Sequence, residues 1–127
     1  MTFEKMYKYE THCHTSPVSK CGKASVKDTV AFYKAFGYDG IFITNHFLDG
    51  NINPEARVLP YRDQIDYYFS DYEEAVKLGA DVGLKVFPGV ELSYKGTDFL
   101  IYGLDEDWYK NHQIGRASCR ERVYGIV

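Results

Sequence analysis

Two histidines stand one residue apart at the end of the first β-prone segment of the chain. His12 and His14 follow a stretch over residues 6–11 that contains two tyrosines, and Thr15 comes directly after them. Side chains at positions i and i+2 of a strand point to the same face, and a neutral imidazole nitrogen is a good metal ligand. The pair could therefore hold one metal ion. The alternative interpretation is two ordinary surface or capping histidines.

The composition restricts the kind of protein to which such a site could belong. The 127 residues are enough for one domain with its own core. A net charge of −3 argues against nucleic acid as a partner, because phosphate binding needs a basic surface. No apolar run is long enough to span a bilayer or to form a signal peptide, and the three cysteines have no disulfide-framework spacing. We therefore expect a cytoplasmic protein without a membrane partner.

Apolar periodicity predicts strands that alternate with helices. After a loop over 16–23, Ser25 is the predicted N-cap of a helix that stops at Gly37. The further predicted elements are a strand over 40–46, a long loop over 47–59, a helix over 60–83, and strands over 84–91 and 98–103. The order β-α-β-α-β-β is typical of an α/β protein with a parallel sheet or a barrel.

Metal-capable residues follow three consecutive predicted strands. His12 and His14 end the first strand, His46 ends the second and Glu91 ends the third. In parallel α/β folds the functional site lies at the carboxyl ends of the strands. The sequence therefore predicts that these side chains share one rim. The alternative is three unrelated features, namely a strand-end histidine, a capping histidine and a surface glutamate.

These three motifs together resemble the amino-terminal part of the PHP domain (polymerase and histidinol phosphatase). The family's His-x-His-Thr corresponds to residues 12–15, its strand ending in Asp-His to residues 45–46, and its Gly-x-Glu to residues 89–91. The resemblance covers roughly residues 6–105. It implies the first half of a distorted seven-stranded TIM-like (β/α) barrel. It also implies two or three divalent transition-metal ions, zinc, manganese or iron, at the rim of the complete domain.

The chain departs from the family pattern at three places. Asn45 stands where the family usually has Asp. The loop after the first motif often supplies a His or Asp ligand in the family, and here it contains Cys21, which could bind zinc as a thiolate or have no role. Asp98 stands near the place of a further family histidine, so it could be an oxygen ligand or a strand-end cap.

Two later ligand patterns of the family, a His-Pro turn and Asp-x-His, do not occur in the sequence. We therefore expect residues 1–113 to be a truncated PHP domain that is nearly inactive by itself, and His112 to be exposed and uninvolved. Residues 114–127 resemble the translation of a sequencing-library adapter and are predicted to be a non-native tail. The alternative is a genuine basic tail.

The resemblance implies a metal-dependent phosphoesterase of the histidinol-phosphatase type, acting on a small phosphorylated substrate. In that interpretation His12 and His14 hold one ion, Glu91 bridges two ions, and His46 faces another. Asp98 is then a possible further ligand, and no protein nucleophile is needed because a metal pair activates water. The alternative function is a non-catalytic metal-binding or structural PHP module.

Overall fold

The computed structural model describes residues 6–19, 21–48 and 54–114. Its elements in chain order are β1 (Tyr9–Cys13), α1 (Val26–Ala35), β2 (Gly40–Ile43), a 3-10 helix (Pro54–Val58), α2 (Tyr61–Val82), β3 (Lys85–Tyr94), β4 (Thr97–Tyr102) and α3 (Glu106–Asn111). The predicted α/β order is confirmed, with α3 added after the last strand. Within the described ranges, no helix combines the length and the apolar composition that crossing a membrane requires.

The four strands form one sheet in the order β1-β2-β3-β4. The first three are mutually parallel, as the βαβ pattern predicts, whereas β4 runs antiparallel to β3. The reason for the reversal is a tight turn in which Lys95 and Gly96 have φ values of +49° and +78°. This conformation suits a two-residue hairpin, and the hairpin joins a third strand that extends beyond the predicted end at Glu91.

The sheet curls into a half-barrel. Although β1 and β4 are not neighbours in the sheet, the Tyr102 hydroxyl of β4 donates a hydrogen bond to the Thr11 carbonyl of β1 at 2.5 Å. Aromatic rings lie on this concave side: Phe42 stacks on Phe87 with ring centroids 4.8 Å apart and meets Tyr102 edge-on at 5.1 Å. We call the side formed by Tyr9, Phe42, Phe87, Leu100 and Tyr102 the concave face.

Helices α1 and α2 cover the opposite, convex side of the sheet. Alternate residues of the short second strand, Ile41 and Ile43, are buried against Val26 and Val30 of α1. The Ser25 side chain caps α1 by accepting from the Asp28 N–H, as predicted. The second strand thus buries one face against the helices.

A second core lies where α2, α3 and the end of β3 meet. It contains Val18, Phe47, Ile65, Tyr68, Phe69, Val90, Leu92, Tyr109 and Ile114. The buried Tyr68 hydroxyl lies 2.8 Å from the Asn45 carbonyl and 2.7 Å from the Gly89 carbonyl, so α2 is tied to the ends of both central strands. Ile114, the first residue of the predicted tail, belongs to this core, and residues 115–127 lie outside the described residues.

Candidate metal centre

The register of the first strand with β2 is irregular near the two histidines. Two residues of β1, between Glu10 and Cys13, stand opposite one residue of β2, which is the arrangement of a β-bulge. Cys13 points into the convex core and is 5% exposed. On either side of it, the Nε2 atoms of His12 and His14 lie 3.2 Å apart. The structure therefore brings these two imidazoles together, as their spacing predicts.

Cys13 is buried, and its burial disfavours a role in metal binding. Its pKa is raised to about 11, mainly because burial disfavours the thiolate and also because of the nearby Glu10 carboxylate. Since a metal binds the thiolate form, the cysteine between the two histidines is a core residue.

The second and third strands deliver His46 and Glu91 to the same place. The regular part of β2 ends at Ile43, three residues earlier than predicted, but His46 and Glu91 pair through an isolated bridge. The Glu91 N–H donates to the Asn45 carbonyl, and the Glu91 carbonyl accepts from the Phe47 N–H, both at 3.0 Å. This pairing fixes the Glu91 backbone at the rim beside the first-strand histidines.

The Glu91 carboxylate lies among three imidazoles, and its two oxygens contact different rings. Its Oε1 is 2.7 Å from His12 Nε2, whereas its Oε2 is 2.8 Å from His46 Nδ1 and 3.5 Å from His14 Nε2. Oε1 thus contacts the end of the first strand, whereas Oε2 lies between the histidines that follow the second and the first strands. The two shortest contacts are at hydrogen-bond distance.

Burial makes this arrangement electrostatically demanding. The Glu91 side chain is only 6% exposed, and those of His46 and His14 are 12% and 19% exposed. A carboxylate removed from water is costly unless opposite charge or hydrogen-bond donors surround it. A divalent cation among the imidazoles would supply that charge. The His12 side chain, at 46% exposure, marks the open side of the cluster.

The loop after the first motif adds a sulfur atom. Cys21 Sγ lies 3.1 Å from His14 Nδ1, on the side of the ring opposite to His12. Two groups of three side chains have donor atoms that all lie within 4.8 Å of one another, namely His12, His14 and Glu91, and His14, Cys21 and His46. Both groups could hold a metal ion.

The spacing of the donor atoms suits a small tetrahedral ion. With zinc–nitrogen bonds of 2.0–2.1 Å, two nitrogens on one tetrahedral zinc are about 3.3 Å apart. The separation of 3.2 Å between His12 Nε2 and His14 Nε2 is close to that value. The two histidine nitrogens therefore fit a divalent transition metal, whereas the Glu91 contacts of 2.7 and 2.8 Å would have to lengthen by about 0.5 Å for Glu91 and a histidine to share one ion.

A buried polar network stands behind the cluster and orients its backbone. The Asn45 Oδ1 accepts from the Thr15 N–H and from the Ser19 hydroxyl, each at 2.7 Å, and its Nδ2 donates to Thr15 Oγ1 at 2.9 Å. Thr15 Oγ1 in turn donates to Asp71 at 2.7 Å. Because the Thr15 hydroxyl proton goes to Asp71, position 45 must supply a donor. An amide does this and an ionised carboxylate cannot, which gives a physical reason for asparagine at position 45.

Asp71 is the part of this network that sequence reasoning missed. It also accepts from the Val18 N–H at 3.2 Å, and it is only 2% exposed. Burial raises its pKa, while the hydrogen bonds from Thr15 and Val18 oppose that rise. The signal that could have revealed it is its position on α2, since Asp71 falls on the apolar side of the helix with Tyr68 and Ala75.

Two further residues are placed away from the cluster. Asp98 is exposed, pairs with Ser93 across the hairpin and accepts from the Ser93 hydroxyl at 2.5 Å. Asp98 belongs to neither of the two potential ligand groups found among the described residues. Its role as a ligand stays a prediction. His112 is exposed, stacks on Trp108 with centroids 4.2 Å apart, and its Nδ1 lies 2.8 Å from the Trp108 carbonyl.

No protein-family model matches the chain, and no curated protein matches it either.

Proposed function

We propose that this chain carries the metal centre of a metal-dependent phosphoesterase of the PHP type. In this proposal the curled sheet is the first part of a distorted seven-stranded (β/α) barrel, and the histidine cluster lies at its carboxyl rim. The observation that carries the proposal is the Glu91 carboxylate, whose two oxygens lie 2.7 and 2.8 Å from histidines of two different strand ends. A bridging carboxylate flanked by imidazoles suits zinc, manganese or iron.

Each side chain of the cluster has a defined task in that reaction. His12 and His14 would hold one ion, Glu91 would be shared with a second ion, and His46 would contribute a nitrogen to the second ion. A metal pair, when bound, acidifies a water molecule and stabilises the charge that develops on a transferring phosphoryl group. The buried Glu91 keeps the negative charge of the centre fixed, and the network of Asn45 holds the backbone of both histidine-bearing segments.

The exposure of the cluster on one side is compatible with a small phosphorylated substrate. Access is from the side of His12, because its side chain is 46% exposed while that of Glu91 is 6% exposed. On the concave face below, aromatic rings pack against one another and leave the rim as the polar part of the half-barrel. A phosphate ester that approaches the rim would meet the imidazoles at the open side of the cluster.

The test compares two isosteric substitutions on the same strand pair. Glu91→Gln removes the bridging charge, and we expect it to weaken Zn²⁺ or Mn²⁺ binding by about 100-fold or more, since even outer-shell changes cost 10–100-fold. Asp98→Asn removes an equal charge from the exposed end of the hairpin and serves as the matched control, with a smaller expected effect. Binding is measured by isothermal titration calorimetry on the 127-residue chain.

Activity is measured as phosphate release from an aryl phosphate. The protein used contains this chain together with the His-Pro and Asp-x-His ligand patterns that the family resemblance implies. We expect release only with added divalent transition metal, abolition by a chelator, and loss on Glu91→Gln. Turnover that a chelator leaves unchanged would refute the proposal. Metal binding without phosphate release would instead favour the structural metal-binding module.

A further inference from the structure

The two potential ligand groups differ in the chemistry of their third donor. The group of His12, His14 and Glu91 offers two nitrogens and an oxygen, whereas the group of His14, Cys21 and His46 offers two nitrogens and a sulfur. His14 lies between them, with Nε2 towards His12 and Nδ1 towards Cys21. The centre thus has an oxygen-containing half and a sulfur-containing half.

We propose that Cys21 is a thiolate ligand of the second ion, so that this half of the centre selects a thiophilic metal such as Zn²⁺ over Mn²⁺ or Mg²⁺. On binding, the thiol would release its proton to water and the sulfur would donate an electron pair to the ion. Because His14 Nε2 is assigned to the first ion, His14 would bind the second ion through Nδ1 as an imidazolate, so its ring N–H proton would also be released to water. Soft thiolate favours zinc, whereas carboxylate and water suit manganese and magnesium. The inference rests on the proposed function, because it assumes that the histidine cluster is a metal centre.

The position of the sulfur is built into the loop that carries it. Gly22 packs so closely on the backbone of Thr15 that a Cβ at position 22 would lie 2.6 Å from the Thr15 carbonyl carbon. The Gly22 N–H also donates to the Ser19 carbonyl at 3.1 Å. Gly22, directly after Cys21, is therefore packed against the segment that holds His14.

The same loop is attached to the strand end that carries the other nitrogen ligand. The Ser19 hydroxyl donates to Asn45 Oδ1 at 2.7 Å and accepts from the His46 N–H at 3.0 Å. Ser19, two residues before Cys21, thus joins this loop to the backbone of His46.

The required adjustment on metal binding is small. Zinc–sulfur bonds of 2.3 Å and zinc–nitrogen bonds of 2.0–2.1 Å place the two donors of a tetrahedral ion about 3.5 Å apart. Cys21 Sγ and His14 Nδ1 are 3.1 Å apart. Because the Cys21 side chain is exposed, it can move outward by the difference without disturbing the core.

The experiment titrates the 127-residue chain with Co²⁺, which substitutes for Zn²⁺ and reports sulfur ligation through a thiolate-to-cobalt charge-transfer band in the near ultraviolet. We expect the band in the wild-type chain, its loss in Cys21→Ser, and its retention in Cys119→Ser, the thiol control. Cys21→His should lose the band but keep the ion, because it replaces sulfur by nitrogen. Zn²⁺ should also slow iodoacetamide alkylation of Cys21, mapped by peptide mass spectrometry, by about tenfold or more.

The outcomes separate this inference from the proposed function. A wild-type chain that binds Co²⁺ without the band, and binds as many ions after Cys21→Ser, would overturn the assignment and leave the centre of His12, His14 and Glu91 standing. A wild-type chain that binds no ion would overturn both. Cys21→Ser should lose both the band and one bound ion per chain, and Cys21→His should regain the ion without the band. This combination would establish the thiolate ligand.

Discussion

Asp71 is a buried carboxyl whose charge state depends on the network behind the metal centre. It accepts hydrogen bonds from Thr15 and Val18, yet burial raises its pKa above the ordinary value of 3.8. The folded protein therefore keeps the Asp71 proton to a higher pH than the unfolded chain does. The stability that this proton confers is present at low pH and is lost as the pH rises from the unfolded pKa to the raised folded pKa.

Asp71→Asn should remove this dependence, because an amide of similar shape does not ionise. Relative to the variant, we expect the free energy of unfolding of the wild type to fall as the pH rises from about 4 through the raised pKa, with no further relative change above it. Urea unfolding of both proteins between about pH 3 and pH 7 measures the difference. Asp81→Asn, at an exposed position of the same helix, is the control. If the free energy of unfolding had the same pH dependence in Asp71→Asn and Asp81→Asn, the role given to Asp71 would be contradicted.

The elements position the site through close contacts between α2 and β3. Gly79 lies in the interior of α2, where alanine normally stabilises a helix by about 1 kcal/mol relative to glycine. Here a Cβ would lie 2.4 Å from the Leu84 carbonyl oxygen and 3.0 Å from Val86 Cγ2. The helix can therefore approach the strand that carries Glu91 only because residue 79 has no side chain.

Gly79→Ala should consequently destabilise the protein despite the better helix propensity. We expect a loss of about 1–3 kcal/mol in the free energy of unfolding, the usual cost of forcing an extra group into a packed contact. Lys77→Ala, at an exposed position of α2, tests propensity and should change stability by less than about 0.5 kcal/mol. Chemical denaturation of the three proteins provides the comparison. A stabilised Gly79→Ala protein would show that the contact does not limit the approach of the helix.

Local patterns predict the elements well because the spacing of apolar residues in each strand and helix reflects which of its faces is buried. His12, His14, His46 and Glu91 could be placed at one rim, since parallel strands end at the same edge of a sheet. The register of β4 could not be foreseen, because it depends on the backbone of the Lys95–Gly96 turn.

The hydrogen-bond network behind the cluster could not be predicted from the sequence for another reason. Thr15 and Asp71 meet across 56 positions, and no local pattern encodes that hydrogen bond. Cys21 is an intermediate case. Its residue type was recognisable as a candidate ligand, but its approach to His14 Nδ1 is set by the folded loop.

At the scale of the whole molecule, the half-barrel leaves apolar surface in contact with water. Tyr9, Leu100 and Tyr102 of the concave face are 38%, 37% and 40% exposed. Among the described strands, β1 and β4 form the two edges of the sheet. Exposed apolar patches and unpaired edges promote association between molecules.

The 127-residue chain should therefore self-associate with rising concentration and unfold without a sharp cooperative transition. Leu100→Thr should reduce the association, because it removes apolar surface from the concave face. Val58→Thr changes a side chain that is 86% exposed outside that face and should have little effect. Sedimentation velocity over a range of concentrations measures the association. A monodisperse wild-type monomer with cooperative thermal unfolding would be inconsistent with an open concave face.

The central claim is that three strand ends build one metal centre, and anomalous diffraction tests it most directly. A crystal of the protein soaked in Zn²⁺ is measured on both sides of the zinc absorption edge. We expect an anomalous peak about 2.0–2.2 Å from nitrogens of His12 and His14 and from a carboxylate oxygen of Glu91. A second peak beside His46 would add the other ion of the pair. Zinc found only at other sites, such as the exposed His112, with no peak among His12, His14 and Glu91, would contradict the account.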